Sequence, residues 1–158
     1  MRRFFLTVVI AALTLLLLYP LAVAVIALSS EVPPTVGLVD VITRCREPRN
    51  CVSSLPSEVE EARVLPLFYT GSQASAQAAL EATLQEQPGV QIVYSESGYI
   101  HAEHRTPVMR FIDDVEFRFN DEGKQVTVRS GARLGTSDGG ANRLLVEEIR
   151  EAFNERLP

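Results

Sequence analysis

The chain of 158 residues has few of the side chains that most often bind metals, with only two histidines and two cysteines. Three patterns typical of enzymes are missing from it: the Gly-x-Ser-x-Gly elbow, the P-loop and the His-Glu-x-x-His motif. His101 and His104 lie three residues apart on a predicted strand, a spacing that directs them to opposite faces. We therefore interpret both as surface histidines and expect neither a metal site nor a cofactor.

Basic residues are in deficit, since 15 lysines and arginines stand against 20 acidic residues and give a net charge of −5. Nucleic-acid binding requires a basic surface, so the composition argues against it.

The N-terminus predicts a membrane anchor over residues 1–28. The run from Phe4 to Leu28 is 25 residues without a charge, long enough to cross the hydrocarbon core. The apolar region of a cleaved signal is usually shorter, about 7–15 residues, so an anchor or uncleaved signal is favoured, although Ala27-Leu28-Ser29 resembles a cleavage site. Arg2 and Arg3 mark the cytoplasmic end under the positive-inside rule, which places the C-terminal domain outside the cytoplasm, periplasmic or external.

Beyond the anchor, residues 29–37 are predicted to form a short stiff linker because of Pro33-Pro34, and residues 38–158 a single extracytoplasmic domain. Cys45 and Cys51 are expected to form a disulfide in an oxidising compartment. Alone they make a poor zinc site, because zinc takes four ligands.

Hydrophobic periodicity predicts an α+β fold. The apolar patterns give strands and helices in the order β-α-β-β-β-β-α, which is typical of an antiparallel sheet with both helices packed on one face. The predicted elements are a strand at 64–69, a helix at 72–87, hairpins at 90–105 and 110–133, and a last helix to residue 157.

The second hairpin has two registers that keep its apolar residues on one face. The register with the shorter turn, called the tightest register below, places Asp114 opposite Arg129, and Arg110 opposite Arg133. Slipping by two residues brings Glu116 opposite Arg129. In the tightest register Arg133 has no carboxylate opposite it, so replacing Arg133 with Met is expected to change stability little.

Asp113 falls on the apolar face of this hairpin, where an unpaired carboxylate is costly. We expect it to hydrogen-bond to the backbone or to Ser130. The alternative is catalysis, with Asp113 or Asp114 as general acid or base and the arginines stabilising an oxyanion.

A glycine-rich corner follows the hairpin and leads into the last helix, for which Ser137 or Asp138 is a suitable N-cap. Because a helix N-terminus presents free N–H groups, it can hold an anion. The alternative is that the glycines only turn the chain and that the arginines pair with acidic residues. The hypothesised ligand-binding residues are Arg129, Arg133, Ser137, Asp138, Asn142 and Arg143.

Four segments resemble the domain of unknown function 1499 family. They are Cys45–Ser54 (CREPRNCVSS), Arg110–Glu116 (RFIDDVE), Val128–Gly135 (VRSGARLG) and Ser137–Arg143 (SDGGANR). In two mild departures, Arg46 stands where proline often follows the first cysteine, and Gly131 where family members often carry a small side chain. The resemblance implies a small exported or membrane-attached domain and brings no established activity.

Three functions are compatible with these observations: a noncatalytic binding or interaction domain, a hydrolase, and a structural subunit of an envelope complex. We favour the first, with the membrane as partner through residues 4–28 and a small anionic ligand or an envelope protein as the other partner.

Overall fold

A single apolar helix precedes the α+β domain in the computed structural model, which describes residues 1–157 apart from the side chain of Arg2. Pro158, the last residue of the predicted domain, lies outside the described residues. Helix α1 runs over Arg2–Ser29. Its stretch Arg3–Ser29, which contains an 18-residue window with a mean hydropathy of 2.7, is long and apolar enough to cross a membrane. A signal sequence near the N-terminus meets the same two criteria.

Six antiparallel strands and two further helices form the domain, which confirms the α+β prediction. The strands are β1 (Cys51–Ser53), β2 (Leu67–Phe68), β3 (Val90–Glu96), β4 (Tyr99–Arg105), β5 (Ile112–Asn120) and β6 (Gln125–Ala132), and the helices are α2 (Gln73–Glu86) and α3 (Ala141–Arg156). The sheet order is β1-β6-β5-β4-β3, and β2 also pairs with β6. The sequence does not predict β1, because three residues are too few to show alternation.

The hydrophobic core lies between the sheet and both helices, so α2 and α3 pack on one face as predicted. Period-two alternation directs every second residue of each strand to this inner face. Its largest buried side chains include Leu80 and Leu84 of α2, Val146, Ile149 and Phe153 of α3, and Ile100, Phe117, Val126 and Val128 of the sheet.

The β5–β6 hairpin adopts the register that pairs Glu116 with Arg129. The tightest register is wrong, and the turn explains why. It would leave a two-residue turn, Asp121-Glu122, and such turns favour positive φ at one or both residues, which suits Asn and Gly better than Glu. The observed loop is two residues longer and places its positive φ, 48°, at Lys124.

The segment predicted as a linker is packed onto the sheet face opposite the helices, which we call the outer face. Residues 30–42, called the strap below, bury Val36 and Ile42. The Gly37 N–H donates to Glu116 Oε1 at 3.2 Å, and the Arg118 guanidinium donates to the Val39 carbonyl. The domain therefore begins to pack directly after α1.

The predicted disulfide between Cys45 and Cys51 is present, with the two Cα atoms 5.6 Å apart. It closes a loop beside β6, where the Asn50 carbonyl accepts a hydrogen bond from the Ala132 N–H at 2.9 Å.

Candidate functional site

Charged and polar side chains fill the outer face beneath the strap. Alternation along three neighbouring strands directs them there, and the strap covers them, so most are buried. The set comprises Tyr99, His101 and Glu103 of β4, Asp114 and Glu116 of β5, Arg129 of β6, and Arg133 just beyond β6.

Glu116 is the centre of one half of this network and is fully buried. It accepts hydrogen bonds from Arg129 Nη1 at 3.1 Å, from Tyr99 Oη at 2.7 Å and from the Gly37 N–H at 3.2 Å. Burial, together with the hydrogen bond to Glu116, raises the pKa of Tyr99 far above its usual range. Tyr99 therefore stays a neutral donor, and the carboxylate of Glu116 is satisfied from three directions.

Arg133 is the centre of the other half, and its side chain is 4% exposed. It donates to both oxygens of Asp114, from Nε at 2.9 Å and from Nη2 at 2.7 Å. It also donates to Glu103 Oε1 at 2.5 Å and to the Ser30 carbonyl at 3.1 Å. The expectation that Arg133 lacks a carboxylate partner is wrong, because it rested on the tightest register.

His101 completes this half, with its Nε2 2.9 Å from Asp114 Oδ1. Interpreting His101 as a surface histidine is wrong, because it is buried. Burial alone raises the pKa of Asp114, but the hydrogen bonds from Arg133 and His101 outweigh burial and lower that pKa below its usual value. Asp114 is therefore held ionised, as an ion-pair partner.

Asp113 lies on the inner face, at the edge of the core. Its Oδ2 is 3.0 Å from His104 Nδ1, since β4 and β5 pair these two residues. The expected partner, Ser130, instead donates to Asn142 Oδ1 at 2.5 Å. Only the strand pairing reveals His104 as the partner of Asp113, and no local pattern in the sequence marks it.

Asp113 lines one wall of a cavity of about 250 Å³ between the inner face and the start of α3. Its other walls include Thr106, Phe111, Leu134 and Ser137. Arg129 and Arg133 contact Glu116 and Asp114 on the outer face. The arrangement thus separates Asp113 from the arginines with which the hydrolase hypothesis combined it.

The glycine corner is closed by its own carboxylate. Asp138 accepts hydrogen bonds from the N–H groups of Gly140 at 2.8 Å and of Asn142 at 3.0 Å. Burial raises the pKa of Asp138, but these bonds from the helix start outweigh burial and lower it. Gly139 and Gly140 have φ of 66° and 92°, which glycine adopts without strain. The anion at this helix N-terminus is therefore Asp138 itself.

The six hypothesised ligand-binding residues do not meet at one point. Arg143 donates to the carbonyls of Arg63 and Glu61, each at 2.8 Å. Asn142 is buried and donates to the Asn50 carbonyl at 3.2 Å. Ser137, Asp138 and Arg143 line a shallow cleft beside the disulfide loop, and Asn142 ties α3 to that loop.

Arg129 and Arg133 do come together, at a cavity of about 240 Å³ between β6 and the disulfide loop. We call it the arginine cavity; it is lined by Pro33, Thr35, Arg46, Glu47, Asn50, Cys51, Arg129, Gly131, Ala132 and Arg133. Gly131 allows this close approach, because a Cβ there would lie 3.2 Å from Cys51 Sγ and 3.6 Å from Arg129 Nη2. Two of the three arginines, Arg129 and Arg133, were expected at a ligand site. Arg46 was not, because only the disulfide loop brings it to the same cavity.

Within residues 1–157 no group of three or more His, Cys, Asp or Glu side chains is placed to hold a metal ion.

These features define a class of protein: a small α+β domain that follows an apolar helix, with a buried ion network and a disulfide-bounded cavity on one face. The chain belongs to the family described as protein of unknown function (DUF1499), whose profile matches residues 41–153. The match confirms the resemblance drawn from the four sequence segments. No curated protein and no solved structure matches the chain.

Proposed function

We propose that the protein is a noncatalytic binding module, held at the outer face of a membrane by α1, which binds a small anionic group in the arginine cavity. The observation that carries this proposal is that Arg129 is buried beside the cavity with one guanidinium donor unpartnered among the described residues. Its side chain is 8% exposed and lines the cavity. Among the described residues only Glu116 accepts from its guanidinium, and its buried Nε has no partner. An unsatisfied buried donor is costly, and an anion would supply an acceptor.

The balance of charge around the cavity supports the same proposal. Arg129 and Arg133 are each neutralised by buried carboxylates. Arg46 is exposed and makes no hydrogen bond to residues 1–157 through its side chain. Glu47 also lines the cavity, but its carboxylate lies 3.5 Å from Arg49. Arg46 therefore supplies a positive charge without a salt-bridge partner among the described residues. Guanidinium groups match the geometry of phosphate and carboxylate groups, so the ligand chemistry is that of a phosphate, sulfate or carboxylate.

The test measures the melting temperature of the full chain in detergent while phosphate, sulfate or acetate replaces chloride at constant ionic strength. A bound anion raises the melting temperature by mass action. Arg46→Ala is expected to leave the melting temperature in chloride unchanged, because surface substitutions of this kind alter stability by at most about 0.5 kcal/mol. It should raise the half-saturating anion concentration about tenfold or more, since a hydrogen bond to a charged group contributes about 1.5–3 kcal/mol.

Arg44→Ala is the matched control. Arg44 is exposed, lies two residues before Arg46 and is not among the residues lining the cavity. Sulfate and phosphate stabilise folded proteins without binding, and both variants retain that general effect. The shift lost in Arg46→Ala and kept in Arg44→Ala is therefore due to binding. Equal anion-dependent shifts of the melting temperature in the two variants would contradict the proposal.

The location outside the cytoplasm is part of the same proposal. It is supported by the positive charges before α1, through the positive-inside rule, and by the disulfide, which persists in oxidising compartments. Protease added to intact spheroplasts is expected to digest the chain beyond Ser30. Protection of the domain would contradict this orientation.

The hydrolase alternative has less support from the geometry. Asp114 is held ionised by Arg133 and His101. Asp113 faces a cavity whose lining contains no arginine. The alternative of a structural subunit in an envelope complex stays a prediction.

A further inference from the structure

The loop between β4 and β5, residues 106–111, presents apolar side chains at one end of the sheet. Val108 is 67% exposed and Phe111 38% exposed. Pro107 and Arg110 are exposed beside them. Exposed apolar groups clustered in one loop are typical of a surface that contacts another apolar phase.

This loop is closed by its own hydrogen bonds. The Thr106 N–H donates to the Phe111 carbonyl at 3.0 Å, and the Arg110 N–H donates to the Thr106 carbonyl at 3.2 Å. The Phe111 N–H donates to Thr106 Oγ1 at 2.9 Å. Backbone groups must be satisfied internally where water is excluded, and three of the five backbone N–H groups of residues 106–111 already meet that condition.

The loop contacts helix α1 well before the helix ends. Tyr19 Oη donates to the Val108 carbonyl at 2.8 Å. Ser29, the last residue of α1, is ten residues further on, which is about 15 Å along a helix axis. The Val108 carbonyl is therefore reached from a point on α1 that is followed by eleven uncharged residues, 20–30, before Glu31.

The length of α1 gives the depth of this contact. Its uncharged run of 25 residues measures about 37 Å, against about 30 Å for the hydrocarbon core. Only about 7 Å of the run can then project beyond the outer boundary, whereas Tyr19 lies about 15 Å before the helix end. The contact with Val108 consequently falls at the boundary or several ångströms inside it, a depth typical of interfacial segments.

We infer that residues 106–111 insert into the outer leaflet beside α1 and form a second membrane contact, with Val108 and Phe111 among the lipid tails and Arg110 near the lipid phosphates. This inference rests on the proposed anchoring by α1. Arg110 has φ of 58°, a conformation that bends the chain back between the two apolar side chains. The occupant of this surface is thus the bilayer itself, and the domain lies against the membrane instead of standing away from it.

The chain contains no tryptophan, so a single introduced tryptophan reports its own surroundings. Val108→Trp and Glu122→Trp are each made in the full chain and reconstituted into phosphatidylcholine vesicles with and without brominated acyl chains. Glu122 is exposed at the far end of β5, about 30 Å along a nine-residue strand from the loop. Val108→Trp should emit further to the blue and be quenched several-fold more by brominated lipid, and Glu122→Trp should be quenched by acrylamide.

Flotation of the vesicles tests the anchoring by α1 separately from the insertion of residues 106–111. If both variants float and Val108→Trp is quenched by acrylamide as strongly as Glu122→Trp, the loop does not insert and the anchoring by α1 stands. If neither variant floats with the vesicles, the anchor fails and the loop inference fails with it. If both float and bromine quenches only Val108→Trp, the inserted loop is established.

Discussion

Replacing Arg133 with Met is expected to lower the free energy of unfolding by about 3–5 kcal/mol, the usual cost of removing one partner from a buried ion pair. Arg133 is 4% exposed and Asp114 is 1% exposed in their side chains. Met retains much of the length of arginine but removes the guanidinium from Asp114 and Glu103, which keep only His101 and Arg105 as partners. Urea denaturation of the full chain in detergent measures the change.

Arg118→Met is the matched control for this experiment. Arg118 lies on the same face and donates to the backbone carbonyl of Val39, without a carboxylate partner among the described residues. Its loss should cost about 1 kcal/mol, typical of a single hydrogen bond. Adding Asp114→Asn to Arg133→Met should recover part of the loss, because it removes the buried negative charge that Arg133 neutralised. A loss for Arg133→Met no larger than that for Arg118→Met would contradict the buried network.

Replacing Glu116 with Gln should have an effect of similar size, about 3–5 kcal/mol, because it leaves Arg129 buried without its counter-charge. The Gln amide also presents N–H groups where Glu116 accepts from Arg129, Tyr99 and the Gly37 N–H. Because Gly37 belongs to the strap, the strap should detach more readily. Trypsin cleavage after the exposed Arg44, just beyond the strap, should become faster, alongside the lower unfolding free energy.

Tyr99→Phe separates the charge from the hydrogen bonds in this second experiment. It removes one donor to Glu116 and keeps the ion pair with Arg129. The expected loss is about 0.5–1.5 kcal/mol, with little change in cleavage after Arg44. Equal effects of Glu116→Gln and Tyr99→Phe would mean that the ion pair does not hold the strap.

The prediction for Arg133 reverses the expectation from the sequence that its replacement changes stability little. The prediction for Glu116 extends the expectation that Arg129 faces a carboxylate. In the tightest register Arg133 faced Arg110 and its replacement was expected to be harmless. The observed register instead gives Arg133 two carboxylates and gives Arg129 the partner Glu116. The difference is a slip of two residues, which keeps every side chain on its face. It exchanges the partners across the strands without disturbing the hydrophobic pattern.

At the candidate site too, local sequence signals do not decide which charged groups meet. Ser137 or Asp138 was expected as the N-cap of α3, because a carboxylate or hydroxyl before a helix is a strong local signal. The N-cap residue is instead Gly140, and Asp138 lies two residues before it. The carboxylate of Asp138 occupies the N–H groups offered to an outside anion. Arg46 had no local signal, since it reaches the arginine cavity only through the fold of the disulfide loop.

The sequence by itself determined the apolar helix, the α+β class, the disulfide and the face on which both helices pack. These depend on local composition and on periods of two and 3.6 residues, which single segments display. Only the tertiary structure decided which charges pair, that His101 is buried, and that Arg46 joins Arg129 and Arg133. Such contacts join residues far apart in the chain, and several pairings satisfy the same pattern of apolar and polar residues, so the turn geometry and the packing of the strap select among them.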